Sequence, residues 1–263
     1  MSESSQSRVV ATGINLAFLL TVAHLVNDAF TNVLPAFLPL LQERFGVGEA
    51  VLAGFVALIS LSSNVLQAFT GALVDRFGRR RSAALGLIVG STLMSFLAVV
   101  PTIWSLVVLL AIGGLGSAVF HPAAVAMVHG SGTRRSLGTG LFMAGGPLGT
   151  ALMPVVVLAI VRNFGIQYVP WLALFGVALG LMLFLFAPQQ TSPKTRSRAK
   201  LFDRELFLGP VGLLSVAGML RAAAFISFTN AIPLYLVNVR GFDTDSAVIG
   251  WTLACYSGAA AVA

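Results

Sequence analysis

Long apolar stretches alternate with short polar connections along the whole chain. The apolar runs lie near residues 14–41, 48–72, 83–100, 103–127, 137–161, 166–187, 207–238 and 246–263. A helix needs about 20 predominantly apolar residues to cross the hydrocarbon core of a bilayer, and the runs are of that order. The pattern therefore predicts eight transmembrane helices and an all-α integral membrane protein.

Composition and charge agree with a membrane protein. Hydrophobic residues make up 57% of the chain and charged residues 10%, against roughly 45–50% and about 25% in soluble domains. The net charge of +7 does not indicate nucleic-acid binding, because most lysines and arginines lie before the first run or in the even-numbered connections. Such a bias places basic loops in the cytoplasm. We expect a multi-pass protein of the inner (plasma) membrane with a cytoplasmic N-terminus.

The polar, basic stretch 188–206 divides the chain. It predicts a cytoplasmic linker between a six-helix N-terminal bundle at 1–187 and a partial C-terminal bundle of two helices at 207–263. An internal echo supports the division, since Phe-Thr-Asn-Val-Leu-Pro at 30–35 recurs as Phe-Thr-Asn-Ala-Ile-Pro at 228–233. Parallel repeats of this kind occur in transporters. We expect a fragment lacking four further helices; a protein of eight helices is the alternative.

One acidic residue, Asp28, is predicted to lie within hydrocarbon. A charge at that depth costs several kcal/mol, so an intramembrane carboxyl group is by default a candidate ion or proton site. His24 and His121 also fall in apolar runs, and imidazole takes up and releases protons near neutral pH. We predict proton coupling through Asp28, His24 and His121. The alternative is that these side chains only form hydrogen bonds that hold the bundle together.

Polar residues at helical spacing form a stripe on each of the first two predicted helices. The stripes comprise His24, Asn27, Asp28, Thr31, Asn32 and Pro35, and then Ser60, Ser63, Asn64 and Gln67. Polar faces in hydrocarbon should border a shared wet cavity, or only bond helix to helix at about 0.6 kcal/mol per contact. The predicted substrate-binding residues are Asn27, Asn32, Asn64, Gln67 and Arg221. Arg221 is expected to pair with Asp28 or with an anionic substrate, or else to snorkel to an interface.

The segment 71–81 carries Gly-Ala-Leu-Val-Asp-Arg-Phe-Gly-Arg-Arg-Arg in the turn after the second run. Gly78 permits a tight turn, and Gly71 is expected to permit close helix approach. The segment resembles the signature between helices two and three of the major facilitator superfamily. The resemblance implies that superfamily's fold and a cytoplasmic gate, for which the predicted residues are Gly71, Asp75, Arg76, Gly78, Arg79 and Arg80.

Three further segments, at 24–28, 117–122 and 142–149, resemble the fosmidomycin-resistance (drug efflux) branch of that superfamily. The third contains Gly145, Gly146, Pro147 and Gly149, which predict close helix packing because small residues let helices approach. It partly resembles an antiporter motif. However, Leu110 stands where the arginine of a fourth-helix proton motif would align, which shifts the predicted coupling to Asp28 and the histidines.

The predicted function is secondary transport: proton-coupled efflux of a small drug-like or anionic compound by alternating access. Uptake of a metabolite by the same fold is the first alternative. An enzyme of the membrane prenyltransferase kind is the second, although its magnesium chemistry needs several carboxylates. We expect a small-molecule substrate, protons and the lipid bilayer as partners, no nucleic acid, no cofactor, no metal, no enzymatic activity, and a monomer when complete.

Overall fold

A computed structural model describes residues 3–129, 135–189 and 209–262, with side chains from 16 to 129, 136 to 189 and 209 to 260. Within these ranges the regular structure is helical. The α-helices are α1 (Glu3–Thr31), α2 (Leu34–Phe45), α3 (Glu49–Ser60), α4 (Gln67–Phe77), α5 (Arg79–Ser95), α6 (Ile103–His129), α7 (Arg135–Phe164), α8 (Ala173–Phe186), α9 (Pro210–Asn238) and α10 (Ala247–Val262). A π-helix, Leu61–Val65, joins α3 to α4, and a 3₁₀ helix, Ile166–Leu172, precedes α8.

Every predicted apolar run contains helix, but the helices differ in length. In the part of the chain that the structure describes, five are long and apolar enough to cross a membrane: Leu16–Phe45, Ile103–His129, Ser136–Phe164, Ile166–Phe186 and Pro210–Asn238. A sixth is obtained if Glu49–Val65 and Gln67–Phe77, which meet at a bend of 46°, form one broken span. The remaining runs hold the shorter helices α5 and α10. Most of the predicted linker lies outside the described residues.

The first predicted helix is broken between Thr31 and Leu34. Pro35 lies in the first turn of α2, where a residue without an N–H is tolerated because that turn has no intrahelical acceptors. At the break, the peptide N–H of Val33 donates to the carbonyl of Phe30, three residues earlier, at 3.3 Å, rather than to the carbonyl four residues earlier as in an α-helix. The predicted stripe is thus interrupted by a break in the helix, although Pro35 still lines a small cavity together with Thr31 and Asn32.

The bundle has two ends, which we name by their turns. The basic end carries the Gly78 turn with Arg79 and Arg80. The far end carries the α2–α3 turn at Gly46 and the α9–α10 turn at Gly241. In the first eight helices, α1 packs on α7, and α5 packs on α6 and α8. Two apolar clusters fill the interior, one around Phe37, Leu97 and Leu110 and the other around Leu20, Leu87 and Phe120.

The helices α9 and α10 meet the rest of the chain mainly toward the far end. The Asn238 amide donates to Gln42 Oε1 at 3.0 Å, which joins α9 to α2. Gly250 brings α10 against α7, where a Cβ would lie 3.1 Å from the Pro154 carbonyl oxygen. In contrast, the first half of α9 is largely exposed, with apolar residues such as Leu213 and Leu220 on its surface. This arrangement leaves a cavity nearer the basic end.

The two copies of the internal sequence echo, at 30–35 and 228–233, differ in backbone conformation. The first copy breaks at the α1–α2 junction, whereas α9 continues through Pro233. In α9 the side chains of Thr229 and Asn230 each donate to the carbonyl four residues earlier, at 2.7 Å. Pro233 lies one turn after these residues. Because it has no N–H, it removes one backbone hydrogen bond from the helix.

Candidate functional site

Three side chains from two helices form what we call the acid–imidazole cluster: His24 and Asp28 on α1, and His121 on α6. His24 Nε2 lies 3.3 Å from Asp28 Oδ2, and His121 Nε2 lies 3.3 Å from Asp28 Oδ1. His24 and Asp28 meet because residues four apart share one helix face. The Asp28 side chain is 17% exposed, so the carboxylate is mostly buried but still partly accessible.

The backbone of α7 positions His24. Its Nδ1 donates to the Phe142 carbonyl oxygen at 2.7 Å, and the two rings stack with centroids 4.2 Å apart. A carbonyl oxygen only accepts, so Nδ1 carries the hydrogen and Nε2 is the atom that faces Asp28. Gly146 makes room for this contact, since a Cβ there would collide with the facing atoms of Asp28 and His24. Sequence reasoning missed Phe142, because a backbone carbonyl acceptor leaves no signal in the side-chain pattern.

Asn27 contacts the acid–imidazole cluster and lines neither of the two cavities described below. Its amide nitrogen lies 3.0 Å from Asp28 Oδ1, 2.9 Å from Ser117 Oγ and 3.4 Å from His121 Nδ1. The residue is only 2% exposed. The structure therefore places this predicted substrate-binding residue where it orients Asp28 and His121. Ser117, not singled out from sequence, anchors it from α6.

Asp28 also borders a cavity of about 630 Å³ between the first helices and the last two. We call it the central cavity. Its lining comes from α1, α7, α9 and α10, and comprises Asp28, Asn32, Pro147, Thr150, Gly218, Arg221, Ala222, Ala224, Phe225, Tyr256, Ser257 and Ala260. Its size falls within the range of small-molecule pockets, which are mostly apolar with a few polar groups. The stretches Gly218–Phe225 and Tyr256–Ala260 lie on the halves of α9 and α10 nearer the basic end.

Arg221 and Asp28 line this cavity together but are not paired with each other. The ionic contacts described for the Asp28 carboxylate are those with His24 and His121. Arg221 is exposed on α9, one turn before Phe225. The Phe225 ring stacks on Tyr256 of α10 with centroids 5.4 Å apart and planes inclined by 9°. The predicted Arg221–Asp28 pair is therefore not among the described contacts, in which the Asp28 carboxylate faces the two imidazoles.

The second predicted stripe divides at the π-helix. Ser60, Ser63 and Asn64 line a smaller cavity of about 60 Å³ together with Asn32. Gln67 lines neither cavity, because the π-helix Leu61–Val65 adds a residue to the turn and rotates the helix that comes after it. Ser62 points inward instead, and its hydroxyl donates to the Leu110 carbonyl at 3.2 Å. Leu110 itself is fully buried.

The predicted cytoplasmic gate residues lie at the basic end. Gly78 has φ +87°, a backbone conformation that favours glycine, and it ends α4 and starts α5. Arg79 Nη1 donates to the Ala126 carbonyl at 3.4 Å, and Arg80 Nη1 donates to the Ala187 carbonyl at 3.3 Å. Cations at carbonyl-rich helix ends are stabilised by the helix dipole. These two arginines thus tie α5 to α6 and α8.

The other gate residues differ in their surroundings. Asp75 and Arg76 are exposed on the last turns of α4. At Gly71 a Cβ would meet nothing within 4 Å in the described part of the chain. None of the described helices packs against Gly71, so the expected close helix approach there stays a prediction.

The four predicted packing residues lie where α7 faces α1. A Cβ on Gly145 would come 2.5 Å from the Thr21 carbonyl oxygen, and one on Gly149 would overlap the Leu25 carbonyl. Gly146 faces the acid–imidazole cluster, and Pro147 lines the central cavity. The glycines let the two backbones approach closely, and that approach brings the Phe142 carbonyl to His24.

The cluster also has the composition of a metal-binding group. His24, Asp28 and His121 each offer one ligand atom, and these atoms lie within 4.8 Å of one another. Imidazole nitrogens with a carboxylate oxygen suit zinc and related ions. A metal ion is therefore the alternative occupant of the position that a proton would take, and an experiment must separate the two.

Comparison with known proteins gives the class and then the family. The helices and their cavity define a multi-pass membrane protein, and solved structures of peptide transporter POT share the fold. A mutant of POT in complex with sulfate matches with a TM-score of 0.54 and 20% identity, over 87% of this chain and 47% of that one. A mutant in complex with alafosfalin matches with a TM-score of 0.52 and 21% identity, over 86% and 52%. The Major Facilitator Superfamily model matches residues 20–263, and the chain belongs to that family.

Two curated relatives extend the comparison. The Fosmidomycin resistance protein of Escherichia coli (strain K12) is 23% identical over 244 residues, covering 90% of this chain and 60% of that protein. The uncharacterized MFS-type transporter YfnC of Bacillus subtilis (strain 168) is 24% identical over 201 residues, covering 76% and 49%. The chain thus spans about half to three fifths of the relatives' length. The predicted superfamily, its resemblance to the fosmidomycin-resistance branch and the all-α membrane fold are confirmed.

Proposed function

We propose that the complete protein is a proton-coupled secondary transporter that exports a small drug-like compound by alternating access. The observation that carries the proposal is the position of the acid–imidazole cluster on the wall of the central cavity. Asp28 belongs to both. A group that exchanges protons beside the cargo is what coupling requires, because each ligand must sense whether the other is bound.

The hydrogen bonds of His24 support a proton at this position. With Nδ1 donating to Phe142, Nε2 of a neutral ring would present a lone pair to Asp28 Oδ2 at 3.3 Å. Two acceptors do not stabilise each other at that distance, so a proton shared by the two groups accounts for the contact. His121 Nδ1 lies 3.4 Å from the Asn27 amide nitrogen, which only donates, so Nε2 is the atom that carries a hydrogen toward the other carboxylate oxygen. We propose that Asp28 and His24 hold the coupling proton and that His121 supports them.

The remaining parts of the proposal concern the halves and the orientation. We propose that the six-helix bundle and the partial bundle rock about the central cavity, with Asn32, Asn64 and Arg221 contacting cargo. The basic end would face the cytoplasm of the inner membrane, as the charge bias predicts. There, Asp75 and Arg76 would act as the gate while Arg79 and Arg80 stabilise its base. We propose a monomer as the working unit.

The test is transport by the complete protein in sealed vesicles loaded with a pH-sensitive dye. Fosmidomycin, which occurs in the name of the Escherichia coli relative, is the first compound to apply, followed by a panel of small anions, cations and zwitterions. The expected result is that one or more compounds move against their gradient when a pH gradient is imposed, while protons move the opposite way. A protonophore should abolish this, and a metal chelator should not.

Three outcomes would count against the proposal. Transport that ignores the pH gradient would remove proton coupling. Loss of transport on chelation, with recovery on adding zinc, would assign the cluster to a metal ion. Protons moving in the same direction as the cargo would instead favour uptake by the same machinery.

A further inference from the structure

The central cavity carries two opposite charges on different helices. Arg221 enters from α9 and Asp28 from α1, and both line the same space. The guanidinium keeps its charge in proteins, because its proton is not released under biological conditions. The carboxylate is charged whenever the proton shared with His24 has left or resides on the imidazole. The cavity therefore presents a fixed cation and a switchable anion.

We infer that the cargo is a small dipolar molecule that carries an anionic group for Arg221 and a cationic or N–H donor group for Asp28. This inference rests on the proposed transport through the central cavity and specifies its substrate class. The stacked rings of Phe225 and Tyr256 line the cavity with Arg221. They offer an apolar wall to the uncharged middle of such a molecule, as aromatic residues do in many ligand pockets.

The charge of the cargo decides whether protons and cargo compete. A purely anionic cargo would bind better when the cluster gains a proton, because positive charge is added to its surroundings. Proton and anion would then travel together, which is the opposite of exchange. A donor group that contacts Asp28 is displaced when a proton takes the same carboxylate. Only cargo with such a group makes proton entry and cargo exit exclusive, as export by exchange requires.

The groups around Asp28 allow this competition. Among the described residues, the titratable groups in contact with Asp28 are His24 on its own helix and His121 on α6, and those that line the central cavity with it are Arg221 on α9 and Tyr256 on α10. On α7 the facing residues are Gly146, Pro147 and Thr150, which do not titrate. For a dipolar cargo the direct contact at Asp28 outweighs the gain at the more distant anionic end, because Coulomb energy falls with distance.

The test compares three probes of one shape on the purified complete protein. These are 4-(aminomethyl)benzoate as the zwitterion, 4-methylbenzoate as the anion and 4-methylbenzylamine as the cation, with dissociation constants measured at pH 5.5 and pH 8. At pH 8 the zwitterion should bind at least roughly 10-fold more tightly than either relative, since it alone forms charge-assisted hydrogen bonds at both ends. Acidification should weaken the zwitterion and the cation and leave the anion unchanged or tighter.

Matched variants assign the two ends. Arg221→Gln should weaken the anion and the zwitterion roughly 10-fold and spare the cation, whereas Arg240→Gln, on the exposed far end, should change nothing. Asp28→Asn should weaken the cation and the zwitterion and remove their pH dependence. Asp243→Asn, also exposed at the far end, is its control.

The possible failures are separable. If the anion binds as tightly as the zwitterion, or if acidification does not weaken the zwitterion, the inferred substrate class is wrong. This holds even when vesicle transport remains proton-driven. If the probes bind as described but no pH gradient drives any cargo, the proposed function fails while the recognition chemistry stands.

Discussion

Asp28→Asn is expected to abolish transport driven by a pH gradient while the protein still folds. Asparagine matches aspartate in shape. Its amide N–H can donate to Nε2 of a neutral His24 and its carbonyl oxygen can accept from His121, so the packing between α1 and α6 should survive. It cannot release a proton, so cargo and proton lose their common site. The effect of the proton on cargo affinity, which for coupled ligands is usually roughly 5–150-fold, should disappear, and accumulation should fall to the level seen without a pH gradient.

The measurement is initial uptake into vesicles with and without a pH gradient, for the wild-type protein and the variant. Asp243→Asn serves as the control because it removes the same charge from an exposed residue at the far end. Circular dichroism of both variants checks that the helices remain. Wild-type gradient-driven flux in the folded Asp28→Asn protein would remove this carboxylate from the mechanism.

Gly149→Ala is expected to destabilise the bundle by about 1–3 kcal/mol, the usual cost of overpacking. The added methyl would overlap the Leu25 carbonyl and lie 3.1 Å from the Ala29 amide nitrogen. Both are backbone atoms of α1, so no side chain can rotate away, and α7 would have to move as a whole. The displacement would also draw the Phe142 carbonyl away from His24.

Gly140→Ala on the same helix is the control, because among the described residues nothing lies within 4 Å of a Cβ there. That change should leave stability equal or raise it by up to about 1 kcal/mol, since alanine favours helix more than glycine does. The measurement is the thermal unfolding midpoint of each variant in the same detergent. Equal midpoints for the two variants would show that the α1–α7 contact is looser than described.

Much of the fold could be read from the sequence because membrane helices obey a simple constraint. In lipid, the backbone must satisfy its own hydrogen bonds, so long apolar runs become helices. The same constraint identified Asp28 as a candidate functional residue, because placing a carboxyl group in hydrocarbon costs free energy and is rare without a functional role. Gly78 was predictable as a turn from its residue type, and its φ of +87° agrees.

Other features depended on long-range geometry that local patterns do not encode. The π-helix at Leu61–Val65 adds a residue to one helical turn and rotates Gln67 away from both cavities. None of the residue types in this segment predicts a π-helix. Asn27 looked like a binding residue by spacing, yet its amide is used by Ser117 and Asp28. The helix that lies opposite Gly71 is likewise not encoded in the local pattern, and no described residue lies within 4 Å of a Cβ there.

The pairing of His24 with Asp28 was partly predictable from local sequence and partly dependent on a long-range contact. Their separation of four residues predicted a shared helix face. The atom that faces the carboxylate was fixed only by the Phe142 carbonyl, 118 residues away in the chain. The chemistry of the site therefore follows from a contact between α1 and α7 that the glycines at 145, 146 and 149 permit.

The most direct test of this account is the number of protons released when cargo binds to the purified complete protein in weakly buffered solution. A cargo that displaces the proton shared by His24 and Asp28 should release up to one proton per molecule bound near the pH at which the cluster is half occupied. Asp28→Asn should release none. Equal proton release from the variant and the wild-type protein would place the coupling proton elsewhere and contradict the account.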